Sequence, residues 1–148
     1  MYKSETEKAI VKKKKTIMLV DDDLEFLEEL QVMLNLIGYK TKRFSRGEQA
    51  LQSIKKVKPD LILLDLKMDG MSGFDFTKAL QADPEIKNIP IIIVSAFCSE
   101  PNIELLKNIY KIKRIVEKPV KPLDIISKVE AVFSKTNKGG INHGKNSY

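Results

Sequence analysis

The 148-residue sequence predicts a doubly wound α/β domain, a parallel sheet of five strands in the order 2-1-3-4-5 with helices on both faces. Three observations predict it. Apolar runs alternate five times with segments of helical periodicity. Three of the runs, Ile17–Val20, Leu61–Leu64 and Ile89–Val94, are apolar throughout, as strands covered on both faces must be. The other two, Tyr39–Phe44 and Arg114–Glu117, interleave charged residues, which suits the edges of a sheet.

The first strand, Ile17–Val20, stops at Asp21-Asp22-Asp23. Phe26, Leu27, Leu30, Met33, Leu34 and Ile37 follow at helical spacing, with Asp23 expected at the N-cap and Gly38 as the stop. Capping accounts for only one of the three aspartates. In the second strand, Lys40, Lys42 and Arg43 discourage further pairing. Ser45 is expected to cap a helix over Arg46–Val57 that turns Ala50, Leu51 and Ile54 inward and ends at Pro59. The third strand delivers Asp65 to its C-terminal end. Beyond a turn at Gly70 and Gly73, Phe74, Phe76, Ala79 and Leu80 give a shorter helix that breaks near Asp83-Pro84. The fourth strand leads into Ser95-Ala96, and a helix over Pro101–Lys111 presents Ile103, Leu106, Ile109 and Tyr110. The fifth strand ends at Lys118-Pro119. Pro122 then opens a last helix, expected to bury Leu123, Ile126, Val129 and Phe133 and to finish near Ser134.

Residues 1–15 and 135–148 lack apolar periodicity and are expected to be flexible, leaving one domain over 16–134. The net charge of +6 belongs to these ends: +4 in 1–15 and +3 in 135–148, against −1 between them. Nucleic acid is therefore not expected to bind through the folded part, and Lys12–Lys15 reads as a solvated run. With 43% hydrophobic and 31% charged residues the composition excludes a disordered chain. Ile89–Val94, the longest apolar run, is too short to cross a bilayer, and no apolar leader follows the first lysines. A single cysteine, Cys98, excludes an intrachain disulfide, and a cytoplasmic location is expected.

In the predicted strand order the first and third strands flank the point where the chain reverses direction, so Asp21, Asp22 and Asp65 meet in one crevice at the C-terminal edge. Carboxylates so crowded must take up a proton or a cation, and Mg²⁺ suits a site of few protein oxygens and several waters. Ser95 and Lys118 reach the same edge. Taken singly, Asp65 could open a turn, Ser95 bond the backbone and Lys118 be a surface lysine. Together they make a site for a phosphoryl group, in which the cation and Lys118 neutralise its oxygens and Ser95 donates a hydrogen bond. A carboxylate can also be the nucleophile, giving an acyl phosphate.

Val20-Asp21-Asp22-Asp23, Asp60–Asp65 followed by Met68-Asp69-Gly70-Met71-Ser72-Gly73, Ile91–Ala96, and Lys118-Pro119 resemble the signature of the response-regulator receiver domain, in order over roughly residues 16–134. The resemblance implies a flavodoxin-like fold and a phosphoryl group accepted on Asp65 from a histidine kinase or histidine phosphotransfer protein. It implies direct binding of Mg²⁺ by Asp22, Asp65 and the backbone carbonyl of Lys67, with Asp21 acting mainly through water. Ser95, Ala96 and Lys118 would hold the phosphoryl oxygens, and the Lys118–Pro119 bond is expected to be cis. Phosphorylation would draw Ser95 inward and bias the fourth helix and fifth strand between two arrangements. By the same resemblance, the face formed by the fourth helix, fifth strand and fifth helix is the expected partner surface, with Lys107 and Lys111 on it. A homodimer is compatible with this, and no downstream target can be read.

Some positions depart from the family's pattern. Asp69 stands where proline is frequent, which predicts a looser turn. Ile115 occupies the switching position where an aromatic is usual, which questions an aromatic rotamer switch but not phosphorylation. Ser95 replaces the more frequent threonine and keeps the hydroxyl. Lys67 and Phe97 are expected to crowd the approach of water to an acyl phosphate and to slow its hydrolysis. His143 in the tail is a bystander, and Cys98, with no histidine nearby, reads as a half-buried thiol.

Two rivals remain. A metal-dependent phosphohydrolase with an aspartyl nucleophile needs a second acid two residues later, where this chain has Lys67. A protein-binding module with a vestigial site is opposed by the intact Asp22, Asp65, Ser95 and Lys118. No output domain is recognisable after Phe133, so the expectation is a stand-alone or excised receiver domain, a signalling switch that acts by protein contact.

Overall fold

A computed structural model of the chain describes residues 4, 5, 7, 15–98, 101–109 and 111–137. The elements alternate strand and helix from β1 (Thr16–Val20) and α1 (Leu24–Leu36) through β2 (Lys40–Phe44), α2 (Gly47–Val57), β3 (Leu61–Leu64) and α3 (Gly73–Gln81). They continue with β4 (Ile91–Ser95), α4 (Asn102–Ile109), β5 (Ile112–Glu117) and α5 (Pro122–Asn137). The strands pair in parallel in the order β2-β1-β3-β4-β5, as predicted.

The period of two along each strand explains why the three central runs are apolar without interruption. Ile17 and Leu19 of β1, Leu61 and Leu63 of β3, and Ile92 and Val94 of β4 face α1 and α5 in one core layer. Met18, Val20, Ile62, Leu64, Ile91 and Ile93 face the opposite way and pack with Ala50, Ile54, Phe76, Leu80, Ile103 and Leu106 in a second layer. Edge strand β2 has only one neighbour, so its Lys40, Lys42 and Arg43 stay exposed.

Several local expectations are corrected. Ser45 does not cap α2. The chain stays extended through Arg46 (φ −138°, ψ 138°), which takes the N-cap position without a side-chain bond, and the helix starts at Gly47, tucked against Met71. Leu123 is 64% exposed, because Ile125, Ile126, Val129, Val132 and Phe133 form the buried stripe and Leu123 stands about a third of a turn away from its centre. Helix α5 continues past Ser134 to Asn137, and β5 begins two residues before Arg114. Helix α4 is shorter than Pro101–Lys111, and the side chains of Ile109 and Tyr110 lie outside the described residues. So does most of the two ends expected to be flexible, and His143 with them. At the start of the chain, Ser4 and Glu7 trade backbone N–H to side-chain bonds of 2.8 and 3.0 Å, a reciprocal capping box.

Candidate functional site

Asp21, Asp65 and Lys118 each follow the last residue of a strand and Ser95 ends one, and the backbones of the first three are each held by one hydrogen bond beyond the ladder. Asp21 N–H donates to Phe44 O at 3.1 Å, Asp65 N–H to Val20 O at 3.0 Å, and Lys118 N–H to Ser95 O at 2.9 Å. These side chains therefore leave the sheet from positions the sheet itself dictates.

Oxygens of Asp21, Asp22 and Asp65 come within 4.8 Å of one another, with Asp21 and Asp65 buried and Asp22 exposed. Lys118 Nζ donates to Asp21 Oδ2 at 2.7 Å and lies 3.7 Å from Asp65 Oδ2. The crevice predicted from strand order is thus formed, with the lysine among the acids. Burial pushes the Asp21 carboxyl up to about 6; the Lys118 bond and the N–H of Asp23 oppose the rise, and the Asp65 charge adds to it. Burial, more than mutual repulsion, keeps this acid reluctant to ionise. Desolvation works against the Lys118 ammonium, but the bond to Asp21 and the surrounding aspartates outweigh it and hold its pKa above the ordinary value.

Local turns fix the acids. Asp23 caps α1 as predicted, its Oδ1 accepting from Phe26 N–H at 3.1 Å, while Asp21 Oδ1 accepts from Asp23 N–H at 3.0 Å. Asp22 Oδ2 accepts from Asp69 N–H at 3.1 Å. The turn after Asp65 is consequently not loose at Asp69: a proline there would have no N–H to give. Glu48 Oε2 secures the same turn by accepting from Met71 N–H at 3.1 Å, and Gly70 takes φ 77° beside it. Gly73 must be glycine for a different reason. It donates to Leu66 O at 2.7 Å, and a Cβ would collide with the backbone of Asp65 and Leu66.

The hydroxyl side is arranged differently. Ser95 is fully buried, and its Oγ accepts from Phe97 N–H at 3.2 Å. Ala96 is exposed next to it. Lys67 Nζ stands 4.5 Å over the Phe97 ring, so the two residues expected to crowd the site touch each other. Lys67 N–H makes a long 3.4 Å contact to Asp65 Oδ1. Cys98 is half-buried, as expected; its Sγ donates to Ser95 O at 3.1 Å, and burial raises the thiol pKa. Ile115 lies half-buried against the second core layer, away from the acids in sequence and on β5. The Lys118–Pro119 peptide is cis.

Two contributors escaped the sequence reading. The Asp69 N–H is one, and the other is Phe26, counted only as a helix-face residue, whose ring lies 4.5 Å from Lys118 Nζ. The N-cap at Asp23 was the available signal, since it sets Phe26 in the first turn of α1, level with the strand ends.

An arrangement of carboxylates, a lysine and a hydroxyl at the C-terminal edge of a 2-1-3-4-5 sheet defines a receiver domain, and the chain belongs to that family. The response regulator receiver domain matches residues 17–130. It is the phosphorylation-driven switch of two-component signalling. The chain is 33% identical over 129 residues to the phosphate regulon transcriptional regulatory protein PhoB of Pseudomonas aeruginosa, covering 84% of this chain and 54% of that protein. It is 34% identical over 116 residues to the DNA-binding response regulator MtrA of Mycobacterium tuberculosis, covering 78% and 49%. The chain thus spans about half the length of these relatives. Among solved structures, a CheY-like receiver domain protein of Methanospirillum hungatei superposes with a TM-score of 0.75 at 27% identity, covering 85% of this chain and 98% of that one. Among the described residues, no helix is long and apolar enough to cross a membrane.

Proposed function

We propose that the chain takes a phosphoryl group on Asp65 from the phosphohistidine of a kinase or phosphotransfer protein and thereby switches its contacts with other proteins. An Asp65 carboxylate oxygen attacks phosphorus, the P–N bond breaks, and the imidazole leaves with the bonding pair. The observation that carries this reading is the juxtaposition of Asp21, Asp22 and Asp65 within 4.8 Å, with Lys118 Nζ 2.7 Å from Asp21 and 3.7 Å from Asp65.

The site suits a hard divalent cation. Its donors are all carboxylate oxygens, one of them exposed, and the buried Asp21 is short of positive charge. Asp21, Asp22, Asp65 and the carbonyl of Lys67 would hold Mg²⁺, which when bound neutralises phosphoryl oxygens. Lys118 does the same from the other side, and Ser95 Oγ–H with the Ala96 N–H orients the group. Lys67 and Phe97 shield the acyl phosphate from water. The domain occupies 16–134 with basic extensions outside it, works in the cytoplasm and acts as a switch, catalysing only its own modification.

Intact mass after incubation with Mg²⁺ and acetyl phosphate tests this. One added phosphoryl group, absent in Asp65→Asn and absent without Mg²⁺, is the expected result. No adduct, with Mg²⁺ also failing to raise Tm, would instead support a binding module with a silent site.

A further inference from the structure

Among the described residues, Asp21 at 2.7 Å, Asp65 at 3.7 Å and the Phe26 ring, whose centroid lies 4.5 Å from Nζ, lie against the Lys118 ammonium. Both carboxylates have competing duties in the proposed reaction. Asp21 belongs to the acid cluster that suits a cation, and Asp65 is the group to be phosphorylated. A cation drawing on Asp21 and a phosphoryl group on Asp65 would each remove or alter one of the partners that hold the ammonium in the resting site. Unlike the two carboxylates, the ring neither binds a metal nor accepts phosphorus.

Phe26 is well built for holding a charge. Asp23 Oδ1 bonds its backbone N–H at 3.1 Å and so pins the first turn of α1. The side chain is half-buried and packs against the core layer beneath the sheet. The face of an aromatic ring attracts an ammonium through its quadrupole, more strongly where water is thinned, and Lys118 is only 18% exposed. The attraction has no preferred in-plane direction, unlike a hydrogen bond to carboxylate, so the ammonium can turn from one oxygen to another while staying on the ring.

We infer that Phe26 is a positioning residue for Lys118, keeping its ammonium over the site while its carboxylate partners change hands. This rests on the phosphotransfer reading above. The sequence leaves Ile115 where a switching aromatic is usual, and Phe26 does not replace that switch; it acts on the lysine from α1.

The experiment compares wild type, Phe26→Leu and Phe26→Tyr for the rate of phosphoryl uptake from acetyl phosphate with Mg²⁺, followed by intact mass, and for Mg²⁺ affinity by calorimetry. Phe26→Leu should slow uptake about 3- to 10-fold, and Phe26→Tyr should return it to within about twofold of wild type. Mg²⁺ affinity should change by less than about twofold in both, since the ring faces the lysine rather than the metal ligands. In the unmodified wild type, the ε-methylene protons of Lys118 should show an upfield ring-current shift that Phe26→Leu loses. A leucine variant as fast as wild type, a tyrosine variant as slow as leucine, or wild-type lysine protons without the shift would each overturn the inference. The NMR arm needs only wild-type protein to overturn the inference, so it stays falsifiable even if Phe26→Leu does not fold. Failure of wild type to acquire any phosphoryl group would instead sink the phosphotransfer reading.

Discussion

The two sides of the site are held by different means. On the acid side, Asp21 and Asp65 emerge from central strands, their backbones bonded one step past the ladder, and Lys118 already offsets part of their charge. On the hydroxyl side, Ser95 at the end of β4 is equally buried, but its Oγ accepts from Phe97 N–H, two residues on in the loop that follows. The acid side is assembled before any ligand arrives. On the hydroxyl side only an acceptor lone pair is engaged, which leaves the Ser95 O–H to donate to an incoming group. Charge must be balanced at all times in a buried pocket, whereas a hydroxyl can wait on a neighbouring amide at little cost.

The sharpest way to break this contrast is to remove the countercharge. Lys118→Met should destabilise the metal-free protein at pH 7 by about 3–5 kcal/mol in urea unfolding, because two buried carboxylates lose their cation. Ser95→Ala should cost about 1 kcal/mol or less. Equal losses would mean that the two sides are not held differently.

Next in size is a pH effect confined to the acid side. Asp21 has its carboxyl pKa raised from 3.8 to about 6 on folding, so the folded state holds this proton more tightly than the unfolded chain. For this group, stability without metal is greatest below pH 4 and falls as pH rises through 4 to 6, by on the order of 3 kcal/mol. Asp21→Asn should flatten that slope in chemical denaturation. Mg²⁺ should raise Tm more at pH 7 than at pH 5, where the proton competes for Asp21.

A smaller effect probes the turn that orients Asp22. Asp69→Pro removes the N–H that Asp22 accepts and should weaken Mg²⁺ about fivefold by calorimetry, while Asp69→Ala, which keeps the N–H, should stay within about twofold. Similar losses in both would assign the effect to the Asp69 side chain. The smallest effect lies on the hydroxyl side, where burial raises the Cys98 thiol pKa. Cys98 should react with a disulfide reagent at pH 8 several-fold more slowly than the same thiol in urea.

The fold was readable because its signals were redundant. Uninterrupted apolar runs at 17–20, 61–64 and 89–94 marked the interior strands, the charged runs at 39–44 and 114–117 marked the edges, and the 2-1-3-4-5 order of doubly wound sheets that fits both brought Asp21, Asp22 and Asp65 together. Where one local cue decided, it misled. Ser45 has the right chemistry for a cap but lies one residue too early, and Leu123 has the right hydropathy but the wrong angle on α5. The contributions of Asp69 and Phe26 were hidden for a different reason. One acts through its backbone and the other through the face of its ring, and neither property is written in residue type.

The backbone bonds that extend the sheet by one residue have a thermal consequence. Amides of Asp21, Asp65 and Lys118 share the ladder that joins the strands, so their hydrogen exchange should require the opening of the sheet itself. The amide of Phe97, bonded to the side chain of the serine two residues before it, should exchange through small local openings. On warming, the acids then keep their mutual geometry until the sheet melts, while the loop that follows Ser95 loosens first.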